Sequence, residues 1–288
     1  MRSGSIWSES FRSVRRNPTA LFGLAVVLIL IFTGIFAPAL SPYNPYKADL
    51  DISLQAPSAQ HWLGTDEEGR DVLSRIIYGA RISLKVGILA SSISLLIGAL
   101  LGLTAGFFRG WVENLIMRFT DIMFGFPALL FMIGITAAVP RPSVEVAMLA
   151  IGLVSWPSMA RIMRAQVLTV IEREYVSAAY SLGYSNLRVM LRHVLPNSLA
   201  PVIVAFTMSI AGAVMAEASL SFIGLGAQPP EPSWGSMISF GRTHLRGEWW
   251  ISVFPGLAVA IMVMGFNLFG EGLRDALDPT MRNKGAKT

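Results

Sequence analysis

The chain has 288 residues, of which 53% are hydrophobic and only 14% are charged, whereas a soluble domain carries about 25% charged residues. The formal net charge is +5, and no basic tract suited to nucleic acid is present. The absence of cysteine excludes disulfides and cysteine-based metal or redox sites, and the three histidines lie far apart in the sequence. Charges gather in short segments between long uncharged runs, which indicates a chain whose solvent is lipid.

Six apolar runs approach the roughly 20 residues that an α-helix needs to cross a bilayer. They lie at 21–40, 86–108, 122–140, 146–160, 199–216 and 251–270. The run at 146–160 is short, and one further turn past Arg161 would complete it. Pro127 and Pro157 predict kinks in the third and fourth spans. The sequence therefore predicts an all-α polytopic membrane protein with six transmembrane helices.

The distribution of basic residues predicts the orientation of these spans. With the N-terminus inside, the cytoplasmic segments hold fifteen of the 23 Lys and Arg residues and the outer segments hold seven. We therefore expect cytoplasmic tails at 1–20 and 280–288. A signal peptide with a cleavage site near Ala37-Pro38-Ala39 is the alternative for the N-terminus, but the apolar run is long for one, and an uncleaved helix at 21–40 is preferred.

The segment 41–82 is the largest external piece, and its prolines exclude a continuous helix in the first half. Residues 66–83 predict an amphipathic helix that lies along the membrane face or packs on the bundle. Its apolar side has Val72, Ile76 and Ile77, and another side has Asp71, Arg75 and Arg81. The remaining part, 83–279, is predicted to be a five-helix core.

Two further features of the predicted spans and loops suggest packing or docking. Gly98, Gly102 and Gly106 recur at four-residue spacing in the second span and predict close helix contact, either within the chain or against a partner. The external loop 223–250 contains three tryptophans, which suit either a docking surface or anchoring at the membrane interface. These are Trp234, Trp249 and Trp250.

The loop between the fourth and fifth spans, 165–197, has the clearest local signals. Residues before Gly183 favour a helix, and Gly183 suits its C-terminal cap in the left-handed region. Ser185 or Asn186 is suited to cap a second short helix, and Pro196 fits the first turn of the next span. We expect two short helices projecting into the cytoplasm, with small residues that let a partner approach closely.

This loop resembles the coupling-loop signature of ABC importer permeases in the dipeptide/oligopeptide/nickel family. The matching residues are Ala178, Ala179, Gly183, Leu195 and Pro196. The signature usually begins Glu-Ala-Ala, whereas here three residues separate Glu174 from Ala178. His193 occupies a position often filled by Ile. Other stretches resemble the same family: LGTDEEGRD at 63–71, ASLSFIGLG at 218–226, QPP at 228–230, PSWG at 232–235 and GLRDALDP at 272–279.

The resemblance implies a type I ABC importer permease fold and the second of two different permease subunits in a bacterial inner membrane. The implied solute is a dipeptide, an oligopeptide or a metal chelate. The implied partners are a homologous permease that completes a heterodimer, one or two ATPase subunits that use ATP and Mg²⁺, and a soluble binding protein outside. This chain itself would bind no cofactor or metal and would not be an enzyme. The ATPase-coupling residues implied are Glu174, Tyr175, Ala178, Ala179, Gly183, Leu195 and Pro196.

An ion-coupled secondary transporter is the alternative function, and it would need ionisable residues inside the membrane. Glu217 in the fifth span and Asn267 in the sixth are the candidates for the translocation pathway. The alternative for Glu217 is a buried polar residue or one at the outer interface, and for Asn267 the preferred alternative is helix packing. A second alternative is an intramembrane enzyme, but the sequence contains no His-Glu-x-x-His or Gly-x-Ser-x-Gly motif. It also contains no Gly-x-x-x-x-Gly-Lys-Ser/Thr loop for binding phosphates, so the energy source is expected in another chain.

Overall fold

The computed structural model describes residue 15 and residues 17–277. Most of the predicted N-terminal tail, the end of the 272–279 motif and the whole C-terminal tail lie outside the described residues. The described part has no β-strand and contains eleven α-helices. They are α1 Pro18–Ile35, α2 Ala37–Leu40, α3 Val72–Phe108, α4 Gly110–Gly125, α5 Ala128–Ala137, α6 Val144–Ile171, α7 Glu174–Ser181, α8 Asn186–Val189, α9 Leu195–Phe222, α10 Trp234–Gly241 and α11 Trp250–Leu277.

Five helical stretches of the described chain are long and apolar enough to cross a membrane: α1, α3, α6, the run from α8 through α9, and α11. The pair α4–α5 also qualifies when its two helices are taken together, and these helices are bent by 85° relative to each other. The all-α membrane fold is confirmed, and the third of the six predicted spans is a broken helix.

The break in the third span lies at Phe126 and Pro127, between α4 and α5. Proline has no N–H for the helical ladder and pushes the preceding residue out of the helical region, so the predicted kink is a complete interruption. Helix α4 also includes residues 110–121, which we expected to be a loop. Pro157, by contrast, lies inside α6, which continues to Ile171.

The second span begins earlier than predicted. Helix α3 has 37 residues and joins the predicted amphipathic helix to the membrane span without interruption, so the helix has no break at residue 82. Asp71 caps it by accepting a hydrogen bond of 2.8 Å from the Ser74 backbone N–H. Arg75 is buried rather than exposed, because the external segment folds over it and the carbonyl of Pro45 accepts a 2.9 Å hydrogen bond from its guanidinium.

Helices α3 and α6 pack along the glycine face predicted from the sequence. A β-carbon added at Gly98 would lie 2.6 Å from Cβ of Met159, and one added at Gly106 would lie 2.9 Å from Cβ of Val167. Such distances are shorter than van der Waals contact, so the absence of a side chain lets the two helices approach. The glycines therefore serve packing within the chain.

Two tryptophans fix the external segments to the bundle. The indole N–H of Trp234 donates to the carbonyl of Ile76 at 3.0 Å, and that of Trp250 donates to the carbonyl of Thr65 at 3.2 Å. Both rings are buried, whereas Trp249 is 46% exposed. Trp234 and Trp250 therefore serve internal packing, and docking of a partner on the 223–250 loop stays a prediction.

Candidate functional site

The 165–197 loop folds as the predicted helix–glycine–helix unit, although its first residues continue α6. Gly183 has φ of +81° and follows α7. The N–H of Gly183 donates to the carbonyl of Tyr180 at 2.9 Å, and the N–H of Tyr184 donates to the carbonyl of Ala179 at 3.2 Å. These two hydrogen bonds form a Schellman cap, which requires the left-handed conformation that glycine adopts without strain.

The second arm of this unit leads directly into the fifth span. Helix α8 is followed by one π-helical turn, Met190–Val194, and then by α9. Pro196 lies in the first turn of α9, as predicted, where its missing N–H costs nothing. A displacement of the loop would therefore be transmitted to α9 through continuous helix.

One side of the loop packs firmly against the bundle. Val176 and Val189 are completely buried, and Ala179 is 3% exposed. They join a hydrophobic cluster with Met163 and Val167 of α6. Because interiors of this kind are close-packed, the loop and the end of α6 move together.

The other side presents apolar residues to the surroundings. Ala178 is exposed, and four larger side chains are strongly exposed: Leu182 at 74%, Leu187 at 61%, Leu191 at 48% and Tyr175 at 43%. Exposed Glu174, Arg188 and Arg192 provide charge around them. Exposed apolar groups of this kind are typical of a surface that contacts another protein or the membrane.

The structure separates the two alanines that the sequence treated alike. Ala178 faces outward, whereas Ala179 faces α6 and cannot meet a partner, which corrects the expectation that both alanines permit its close approach. Leu195 is half-buried at the start of α9. Leu182, Leu187 and Leu191 were missed by sequence reasoning, although leucines within a polar interhelical loop were a usable signal.

Three ion pairs near this end of the bundle were also missed. Arg164 of α6 binds Glu113 of α4, and the two side chains are partly buried. Arg161 donates to Asp121 at 2.6 Å, and its guanidinium lies 4.1 Å from the ring centre of Phe124. The third pair joins Arg109 to Glu172 at 3.3 Å. These contacts hold the first half of the broken span against α6.

The two pathway candidates lie apart from the loop. Glu217 is completely buried, and its Oε1 accepts hydrogen bonds from Ser221 at 2.7 Å and from Ser233 at 2.9 Å. Since Ser233 directly precedes α10, Glu217 ties that external helix to α9. Asn267 is half-buried within α11. Contact of either residue with a solute stays a prediction.

The fold and this loop define a polytopic membrane permease. Residues 98–283 match the family described as binding-protein-dependent transport system inner membrane component, and residues 5–57 match the N-terminal transmembrane domain of oligopeptide transport permease C. The chain belongs to the family of binding-protein-dependent transport system inner membrane components. This assignment gives no support to the ion-coupled alternative.

Named relatives extend over almost the whole chain. A dipeptide transport system permease protein of Alkalihalophilus pseudofirmus is 43% identical, covering 97% of this chain and 91% of the relative. A di/tripeptide transport system permease protein of Pseudomonas aeruginosa is 44% identical, covering 96% and 92%. An inward-facing structure of the MetNI methionine ABC transporter shares the fold with a TM-score of 0.60, at 14% identity over 72% of this chain and 97% of that one.

Proposed function

We propose that the chain is the permease subunit of an ATP-driven importer that carries dipeptides, oligopeptides or solutes of similar size across a bacterial inner membrane. One observation carries the proposal: a helix–glycine–helix loop is packed on α6, continues into α9, and exposes apolar residues on its outer side. The family assignment and the peptide-transport names of the two relatives support the same function.

The coupling mechanism follows from how the loop is built. A separate ATPase subunit binds the exposed side, and Tyr175, Ala178 and Leu182 enter its groove while Glu174 and the arginines lie at the rim. ATP and Mg²⁺ are bound by that subunit. Its movement displaces α7 and α8, and the packed cluster passes the displacement to α6 and α9. The permease thereby alternates between two states that its partners bias.

The other partners follow from the same function. A second, homologous permease completes the pathway as a heterodimer, one or two ATPase subunits bind on the cytoplasmic side, and a soluble binding protein delivers solute outside. The termini and the 165–197 loop are cytoplasmic in this arrangement, because the basic residues concentrate on that side.

Adjacent alanines offer a matched pair for testing the docking. In a chain without native cysteine, Ala178→Cys places a thiol on the exposed side, and Ala179→Cys places one on the buried side. We expect Ala178→Cys to cross-link to cysteines introduced along the ATPase groove, and Ala179→Cys to give no product. Failure of Ala178→Cys at every groove position, in membranes where the complex imports peptide, would contradict docking through this side of the loop.

A further inference from the structure

Helices α3, α5, α6 and α9 enclose a groove of about 270 Å³ at the depth of the membrane spans. Its lining is formed by serines together with small and apolar side chains, and none of the lining residues is charged. The serines are Ser91, Ser94, Ser155, Ser158 and Ser209. We refer to this feature as the serine groove.

Several hydroxyl groups elsewhere in these helices donate to the helix backbone. Ser92 donates to the carbonyl of Ile88 at 2.7 Å, and Thr104 donates to that of Leu100 at 3.0 Å. This bond to the preceding turn is the usual solution for a hydroxyl inside a helix. It leaves no donor free for another molecule.

The serine groove departs from this pattern. Ser94 is 2% exposed and lines the groove, and its hydroxyl makes no side-chain hydrogen bond with the part of the chain that the structure describes. The hydroxyls of Ser155 and Ser158 likewise make none with this part, whereas Ser209 donates to the carbonyl of Phe206 at 2.7 Å. The Oγ of Ser91 also has no partner there, but the surrounding protein encloses it. A buried hydroxyl without a partner is unfavourable, so the groove is completed by a hydrogen-bonding molecule from outside this chain.

Lipid cannot be that molecule, because acyl chains offer no hydrogen bonds. Helix α1 has a surface suited to lipid, because its exposed residues include the large apolar side chains Leu28, Ile29 and Phe32. In the groove, by contrast, Gly212 and Ala216 leave the surface of α9 open to close approach. A polar solute, water or a polar surface of the second permease can supply the missing hydrogen bonds, and the experiments below distinguish the solute from the others.

We propose that the serine groove is this chain's share of the solute pathway and that it binds the neutral amide groups of a peptide backbone. A hydroxyl both donates and accepts, so it pairs with either the N–H or the C=O of a peptide bond. With no ionised group in the lining, the groove does not select a solute by charge. This inference rests on the proposed function and specifies the chemistry that the permease recognises.

Inserting a charge tests the neutrality of the groove. We compare Ser158→Asp, Ser158→Lys and the uncharged Ser158→Asn in cells whose own copy of the chain is replaced. Uptake of radiolabelled alanyl-glutamate and alanyl-lysine is measured for each variant. Ser158→Asp should lower the ratio of alanyl-glutamate to alanyl-lysine uptake about tenfold through charge repulsion, Ser158→Lys should raise it, and Ser158→Asn should leave it unchanged.

A folding defect would lower the uptake of both peptides, but it would not reverse the ratio between the two charged variants. An unchanged ratio in all three variants, with transport retained, would overturn the assignment of Ser158 to the pathway. The ratio therefore separates solute contact from structural damage.

Labelling gives a second readout that does not require transport. Ser155→Cys places a thiol in the groove, and Ser92→Cys places one on α3 next to Ser91 but outside the groove. In membranes holding the complete complex, a water-soluble maleimide should label the tagged chain at Ser155→Cys, and dialanine should slow that labelling. Ser92→Cys should stay unlabelled.

The two proposals fail in distinguishable ways. If uptake of dialanine is ATP-driven but Ser155→Cys is neither labelled nor protected, the groove assignment fails and the importer function stands. If Ser155→Cys is labelled and protected while the wild-type complex shows no ATP-driven uptake, the groove stands as a peptide site and the ATP-driven function fails.

Discussion

Gly183 determines the shape of the proposed ATPase-coupling loop through its backbone. Its φ is +81°, and a β-carbon added there would meet nothing within 4 Å, so a substitution is resisted by conformation rather than by space. The left-handed region costs a residue with a side chain about 1–2 kcal/mol, and the cost is lower for asparagine than for a β-branched residue.

We therefore expect Gly183→Val to lower peptide uptake severalfold at unchanged membrane abundance, and Gly183→Asn to retain most of it. Uptake in cells, normalised to the tagged chain by immunoblot, checks this. Wild-type uptake in the valine variant would contradict a coupling role for the Schellman turn.

Glu217 offers a test between a pathway role and a structural one. Its Oε1 accepts from two serine hydroxyls, and the amide oxygen of glutamine accepts in the same way. We expect Glu217→Gln to preserve both thermal stability and uptake. Glu217→Leu should destabilise the purified complex, because each buried hydroxyl left without a partner costs about 1–3 kcal/mol. If Glu217→Gln abolished transport at normal stability, the carboxyl group would have a direct functional role.

At the scale of single residues, the sequence predicted the features that depend on neighbouring residues in the chain. The turn at Gly183 depends on backbone preferences within a few residues, and its left-handed conformation was predicted correctly. The opposite orientations of Ala178 and Ala179 depend on which side of α7 packs against α6, and that contact joins distant parts of the chain. No local signal specifies it.

The packed face between α3 and α6 is the main structural feature at the scale of elements. Gly98→Ala would place a methyl group 2.6 Å from Cβ of Met159, and overpacking of this kind costs about 1–3 kcal/mol. We expect a lower melting temperature of the purified complex for Gly98→Ala. Gly256→Ala in α11 is the matched control, since nothing lies within 4 Å of its added β-carbon. Equal melting temperatures for the two variants would contradict the packing role.

Helix ends were predicted less well than helix cores. Charged residues before residue 83 suggested a separate surface helix, but the external segment buries Arg75 and lets α3 run through. Conversely, Pro127 predicted a kink in the apolar run at 122–140, but the two arms of that span are bent by 85°. The size of the bend depends on how both arms pack. Hydropathy reports the solvent around a helix and is insensitive to its continuity.

For the whole molecule, the features at the two ends have complementary roles. At one end, Trp234 fastens α10 to α3, and Trp250 fastens the segment that contains Thr65 to α11. At the other end, the proposed coupling loop is packed on α6 and continuous with α9, two of the four helices that line the serine groove. Under the proposed function, a movement of the loop would reach the groove through these two helices. The sequence alone could not reveal this link, because the groove combines residues from four separate segments.

The most direct test of the central claim is peptide uptake under controlled energy supply, combined with identification of the partners. The tagged chain is extracted gently from its native membrane, co-purifying proteins are identified by mass spectrometry, and dialanine uptake is measured in the same cells. The account predicts a second permease and at least one ATPase in the complex, with uptake that stops on ATP depletion and persists when ionophores collapse the proton and sodium gradients. A chain that purifies alone, with uptake that survives ATP depletion and follows an ion gradient, would contradict it.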